Sequence, residues 1–201
     1  MRFRQAKNIT LGGRRFRGNH MSLMNKYPRL TDLEAPAARR IPKFVFAYLD
    51  SGTGQDQAKD HNRAYLDGIE LTPQFMRGRV NPDLTTKLFG HSYNAPFGVA
   101  PIGLSSLIWP GAESILGAAA KAHGFPYILS TVAGESLEMV AKAAGEMAWF
   151  QLYAPKDREV MTDLLRRAKE NGYETIVVTA DVPAPSRRES MRIAGAPLGS
   201  R

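Results

Sequence analysis

The chain has 201 residues, 43% of them hydrophobic, no cysteine and a formal net charge of +8. That is enough for one globular domain but short of the roughly 250 residues of a complete (β/α)8 barrel, and it excludes a disulfide framework, a thiolate metal site and a cysteine nucleophile. The charge is local: residues 1–40 hold ten Lys/Arg against Asp32 and Glu34, while the rest holds 17 of each sign, so the body has no excess charge to attract nucleic acid.

Residues 1–24 are basic, acid-free and without a helical or strand period. They are set apart from the fold as a leader, and three readings compete for it. It is a disordered tail or mistaken start, a basic segment resting on an acidic membrane or partner, or an organellar presequence. No apolar run approaches the roughly 18 residues of a membrane span. The expected location is the cytoplasm, with peripheral contact at the inner face of the membrane as the alternative. Residues 25–94 read as short helices followed by short strands. Thr31–Glu34 resembles a capped helix start that Pro36 keeps brief. Phe44–Leu49 is an apolar helical turn, punctuated by Asp50-Ser51-Gly52-Thr53-Gly54, and a second helix is expected over 55–66. Short strands are expected at 71–79 and 86–93, around an Asn81-Pro82-Asp83 turn.

Residues 95–201 alternate β-α-β-α-β-α-β, which calls for parallel strands with crossover helices. The strands fall at 96–100, 127–131, 147–153 and 175–179, with helices over 113–123, from Ser136 to before Gly145, and over 157–169. Thr175–Thr179 is a continuous apolar run of the kind buried on both faces. Each strand ends in polar, chemically useful residues: Ala100-Pro101-Ile102-Gly103, Ser130-Thr131, Gln151-Leu152-Tyr153 and Thr179-Ala180-Asp181. Such ends converge on one face of the sheet, where α/β barrels build their active sites. Four strands are half a barrel.

The familiar signatures of other chemistries are missing: no Gly-x-Gly-x-x-Gly after a strand, no phosphate-loop lysine, no His-Glu-x-x-His and no Gly-x-Ser-x-Gly. His20, His61, His91 and His123 all lie away from the strand ends, as surface or structural histidines. Gln151 can donate and accept at once, which suits a heteroaromatic ring edge, although it could equally satisfy buried backbone. Asp181 needs a partner where it stands. Ser130 and Thr131 are readable as turn residues, and Thr179 as a β-branched core residue.

In order along the chain occur Ile41-Pro42-Lys43-x-Val45-x-x-Tyr48-x-x-Ser51-Gly52, Asn62-Arg63, Ala100-Pro101-x-Gly103, Pro110-x-x-Glu113 and Leu129-Ser130-Thr131. Trp149-Phe150-Gln151-Leu152-Tyr153, Lys156-Asp157-Arg158, Val178-Thr179-Ala180-Asp181-Val182-Pro183 and Arg187-Arg188-Glu189 follow. The set resembles the FMN-dependent L-2-hydroxy-acid oxidases and dehydrogenases over about residues 25–195. The resemblance implies an α/β fold, a (β/α)8 TIM barrel of which this chain holds the N-terminal helices and about four strands. It implies FMN as cofactor and a small L-2-hydroxy acid, such as L-lactate, as substrate. By resemblance the backbone at Ala100, Pro101 and Ile102 lines the flavin, and Ser130, Gln151 and Thr179 hydrogen-bond its ring. Tyr48 and Tyr153 match substrate-binding phenols, Arg188 an arginine near the substrate entrance, and Asp181 the carboxylate that orients the catalytic histidine.

Ile102-Gly103 departs from the more polar or small pair that some members carry. The family's base histidine, carboxylate-clamping arginine, flavin-ring lysine and phosphate site come from strands after the fourth, so the chain alone is expected to be inactive. The resemblance leaves the electron acceptor open among oxygen, a quinone and a cytochrome, and implies homo-oligomers for the full-length family. The competing expectation is a non-catalytic binding or assembly module derived from that family.

Overall fold

The computed structural model describes residues 25–78, 81–180 and 187–195. The basic leader and Asp181 lie outside the described residues. The chain divides into two compact units, Met1–Pro42 and Lys43–Arg201.

In the first unit a single 3-10 turn, Leu30–Leu33, runs into helix α1, Glu34–Arg40. The cap is supplied by Asp32, whose carboxylate accepts the Arg29 backbone N–H at 3.0 Å and its guanidinium at 2.7 Å. Pro36 does not cut the helix short. It sits in the first turn, where its missing N–H has no partner to lose.

The second unit opens with α2 (Lys43–Asp50) and α3 (Gln57–Asp67). The expected strand at 71–79 is absent from its described part, residues 71–78, where Leu71, Phe75 and Met76 are 90%, 82% and 102% exposed. An extended segment becomes a strand only when a neighbour completes its hydrogen bonds. The expected single strand at 86–93 is instead a hairpin of β1 (Thr86–Leu88) and β2 (His91–Tyr93). Its corner residues, Phe89 and Gly90, take φ of 51° and 84°, the pair of positive values that a tight type I′ turn demands.

Strands β3 (Tyr127–Ser130), β4 (Ala148–Leu152) and β5 (Thr175–Val178) then form a parallel sheet in that order. The strand expected at 96–100 survives as one bridge, Val99 to Tyr127. Val99 donates to Pro126 O at 2.8 Å and accepts from Ile128 N–H at 3.1 Å. Pro96 offers no N–H, and a Cβ on Gly98 would lie 2.7 Å from Pro126 O, so the chain passes too close for a regular ladder. Four consecutive parallel segments with crossover helices make this the first half of a TIM barrel.

The helices are the short α4 (Ser105–Ile108), α5 (Ala112–His123), α6 (Leu137–Ala144), α7 (Arg158–Glu170) and the short α8 (Glu189–Ile193). Ser136 caps α6 through Met139 N–H, and Asp157 caps α7 through Glu159 N–H. Tyr127, Leu129, Phe150 and Leu152 face these helices and share one core with Val140, Ala144, Ala168 and Tyr173. Side chains alternate along a strand. Ile128, Ser130, Trp149, Gln151 and Val177 therefore face the other way, into the barrel. At the amino end the hairpin covers that inner face: Trp149 Nε1 donates to the Tyr93 hydroxyl at 3.1 Å.

One correction concerns β5, expected to be buried on both faces. Val178 is 59% exposed, and β5 has no strand on its outer side among the described residues. A continuous apolar run identifies a strand meant for the interior. It does not supply the neighbour.

A two-pronged ion pair joins α6 to α7: Glu138 accepts from Arg167 Nε at 2.8 Å and from Nη2 at 3.1 Å. The hydrogen bonds from Arg167 pull the Glu138 carboxyl from 4.5 down to about 2. A depressed folded-state value means stability that is present above the unfolded value and lost as pH falls through the folded one. Urea midpoints of the parent and Glu138→Gln should thus differ modestly near neutrality, since the pair is only half-buried and water still reaches it. The gap should close as pH drops from 4.5 toward about 2. A gap that is constant with pH would mean the pairing is not electrostatic.

Candidate active site

Because Ser130, Gln151 and Thr179 project from the inner face at successive carboxyl ends, they meet. Gln151 is 2% exposed. Its Oε1 accepts from the Ser130 hydroxyl at 3.1 Å and from Thr131 N–H at 3.2 Å, and its Nε2 donates to Thr179 Oγ1 at 3.0 Å. Thr131 N–H can only donate, so it fixes which end of the amide is oxygen. Thr131 Oγ1 in turn donates to Gln151 O and accepts from Tyr153 N–H at 3.0 Å. The three residues expected to hold a heteroaromatic ring are one hydrogen-bonded chain across three strands. Among the described residues, the second Nε2 hydrogen of Gln151 and the hydroxyl hydrogen of Thr179 have no acceptor. Both are donors held where a ring edge could use them.

Tyr48 reaches this chain from α2. Its hydroxyl donates to Gly103 O at 3.2 Å. A Cβ on Gly103 would lie 2.8 Å from Val132 Cγ2, 3.1 Å from the Tyr48 hydroxyl and 3.9 Å from Ser130 Oγ, so glycine is what lets phenol, loop and strand end converge. Ala100 and Pro101 are exposed and Ile102 is 40% exposed. Ser105 Oγ steadies this apolar lip by donating to Ile102 O at 2.9 Å. Tyr153 is anchored by its backbone and is 42% exposed.

Arg188 sits on Tyr48. Its guanidinium lies 5.6 Å from the phenol ring centroid, a cation–π distance, and Nη1 donates to Tyr48 O at 3.1 Å. The strip carrying Arg188 is clamped by the loop after α2, where Gly54 N–H donates to Arg187 O at 2.6 Å and Glu189 N–H to Gly54 O at 3.3 Å. Asp56, at φ 66°, closes the clamp by accepting from Ser190 Oγ at 2.8 Å and Gly52 N–H at 2.6 Å. The hydrogen bonds from Ser190 and Gly52 hold its carboxyl below the usual range. Sequence pattern alone does not single out Asp56: it falls inside the helix expected over 55–66, and nothing local foretells a partner 134 residues away.

The site contains no described histidine. His91 pairs with Glu174 at 2.8 Å, beside a cavity of about 380 Å³ lined by Tyr93, Glu146 and Trp149 at the amino ends of the strands. That is the opposite end of the sheet. His123 stacks on Phe125 at 5.9 Å. Among the described residues no cluster of three or more His, Asp or Glu side chains could hold a metal ion, and no helix is long and apolar enough to cross a membrane.

Residues 37–201 match the family model described as FMN-dependent dehydrogenase. The L-lactate dehydrogenase of Ectopseudomonas mendocina (strain ymp) is 40% identical over 158 residues, 79% of this chain and 42% of that protein. The L-lactate dehydrogenase of Stenotrophomonas maltophilia (strain K279a) is 37% identical over the same shares. The crystal structure of mandelate oxidase superposes with a TM-score of 0.79 at 34% identity, covering 87% of this chain and 50% of the other. A mandelate oxidase variant solved with an FMN adduct gives 0.76 at 33% identity, covering 84% and 51%. The chain spans about half the length of the curated relatives and solved structures that it matches.

Proposed function

The chain belongs to the FMN-dependent dehydrogenase family, and from that premise we propose that it supplies the flavin-ring and substrate-phenol half of an enzyme that oxidises a small L-2-hydroxy acid to the 2-oxo acid. The single observation that carries the reading is the Ser130–Gln151–Thr179 chain, a buried amide flanked by hydroxyls with two donor hydrogens that have no acceptor among the described residues.

The donor set fits the edge of an isoalloxazine ring, whose nitrogens and carbonyls alternate as acceptors and donors. Ser130, Gln151 and Thr179 would hold that edge, and the exposed lip at Ala100, Pro101 and Ile102 would lie along one face. When bound, FMN supplies acceptance of a hydride equivalent from the substrate Cα. The chain's own residues do the rest of the positioning. Tyr48 has a hydroxyl already aimed by Gly103 O and a ring held by Arg188, so it can turn its hydrogen to a substrate carboxylate without reordering. Tyr153, at the end of β4, is suited to the substrate hydroxyl. Asp181 is assigned, on its position after β5, to orient the histidine that takes the hydroxyl proton. L-Lactate and L-mandelate, the acids implied by the relatives' names, are the substrates to try first.

Complementation tests this. The 201-residue chain is purified alone, and also joined to the C-terminal part of the Ectopseudomonas enzyme that it does not match. The joined protein should be yellow and reduce a dye when given L-lactate or L-mandelate, and the chain alone should do neither. A joined protein that folds by circular dichroism yet stays colourless would sink the proposal and favour a non-catalytic assembly module.

A further inference from the structure

Glu113 is a charged side chain with 0% exposure that the proposed chemistry does not use. It is the second residue of α5. An acid near a helix N-terminus usually needs no explanation beyond the helix dipole, but such an acid stays in water. Taking a carboxylate out of water is unfavourable by several kcal/mol unless donors replace the solvent. Three do. Oε1 accepts from Ser106 N–H at 3.0 Å and from Gly134 N–H at 2.9 Å, and Oε2 accepts from the Ser106 hydroxyl.

The donors come from two different segments, the start of α4 and the loop after β3. Ser106 follows the lip Ala100–Ile102, and Gly134 follows the strand end Ser130–Thr131. The segments touch at this point, since a Cβ on Gly134 would lie 2.6 Å from Ser106 Cβ and 3.6 Å from Glu113 Oε1. The second segment returns the bond: Glu135 accepts from Ser114 N–H on α5 at 2.7 Å. Closer to the site, Leu104 N–H donates to Val132 O at 2.9 Å, and the neighbouring Gly103 O holds the Tyr48 hydroxyl.

We propose that Glu113 is a positioning residue for the active site, a buried carboxylate that sets the register of the Ala100–Ser106 segment against the Ser130–Glu135 segment. Through the Leu104–Val132 bond it determines where Gly103 O holds Tyr48. Burial works to raise the carboxyl, but the hydrogen bonds from Ser106 and Gly134 prevail and hold it below its ordinary value, so the group stays ionised and accepts all three bonds at neutral pH. Its importance for catalysis rests on the function proposed above, whereas its effect on the two segments does not.

Amide hydrogen exchange on the 201-residue chain reads the two segments without flavin. Glu113→Gln should speed exchange at Ser106 and Gly134 by roughly tenfold or more, the loss of about one strong hydrogen bond. It should also speed exchange at Leu104, whose N–H Glu113 does not touch, while Phe150 and Gln151 in β4 keep parent rates. Ser106→Ala, which removes one donor and leaves the carboxylate, should give a weaker form of the same pattern, and Ser106→Thr should restore it. Acceleration confined to Ser106 and Gly134, or spread evenly through β4, overturns the proposal. If Glu113→Gln does not fold, the Ser106 pair decides. In the joined protein, Glu113→Gln should raise KM for the hydroxy acid several-fold more than it lowers kcat, because Tyr48 contributes binding. An equal loss in kcat alone would also count against it.

Discussion

Gln151→Leu should lower the unfolding free energy of the chain by about 2–4 kcal/mol, the largest effect expected of any single substitution in the site. Leucine fills similar space but accepts nothing and donates nothing. The Ser130 hydroxyl, Thr131 N–H and Thr179 hydroxyl all lose their partner on Gln151. A buried polar group left unpaired costs about 1–3 kcal/mol, and the two more exposed members of the set recover part of that from water. Gln151→Glu separates stability from cofactor chemistry. Glutamate can still accept from Ser130 and Thr131, and the Thr179 hydroxyl can reverse and donate to it. What it loses is the amide's N–H toward the ring edge.

The carboxyl placed there would be buried with one backbone N–H donor where Glu113 has two, so desolvation should prevail and its folded-state pKa should rise above the unfolded value of about 4.3. A raised acid destabilises the fold progressively as pH increases through that range, so Gln151→Glu should approach parent stability near pH 4 and fall away toward neutrality. Denaturation of both variants across pH, together with flavin absorbance in the joined protein, checks this. Leu should be unstable at every pH, Glu only when ionised, and neither should hold flavin as the parent does. Equal flavin occupancy in Gln151→Glu would show that the ring edge is not held here.

The convergence of Ser130, Gln151 and Thr179 was legible in the sequence because it needs only two facts, parallel strands and alternation. Once Phe150 is given to the helices, Gln151 must face the barrel. The Phe89-Gly90 hairpin was not legible, since the positive φ at Phe89 has none of the Asn or Asp chemistry that usually announces such a turn. Asp56 and Glu113 were invisible as positioning groups for a related reason. An acid near a glycine turn and an acid opening a helix each have an ordinary local explanation, while the partners Ser190 and Gly134 lie 134 and 21 residues away. Arg188 also packs on the ring and carbonyl of Tyr48, contacts that span 140 residues and that no local pattern encodes.

The isolated chain should self-associate, and the open edge of β5 should be the principal cause. Thr179 N–H donates inward to Leu152 O at 3.1 Å. Backbone groups alternate sides along a strand, so the Val178 N–H points to the outer edge, where no strand pairs with it among the described residues. A strand edge with free N–H and C=O groups is a template for another chain. Val178 is 59% exposed, and Leu71, Phe75 and Met76 add apolar surface elsewhere on the same unit. Val178→Pro removes the outward N–H and leaves the bonds to β4 intact, which is the arrangement proline tolerates on edge strands. Sedimentation velocity over a concentration series should show the parent forming oligomers. Val178→Pro should weaken association by roughly tenfold, about 1.4 kcal/mol, with an unchanged circular dichroism spectrum. A monomeric parent would rule out the edge as an assembly surface. Oligomers that persist unchanged in Val178→Pro would shift responsibility to the apolar stretch from Leu71 to Met76. Parallel strands laid against β5 would extend the sheet in the direction in which a barrel closes, so the joined protein, if it folds as a barrel, should remain indifferent to the same substitution.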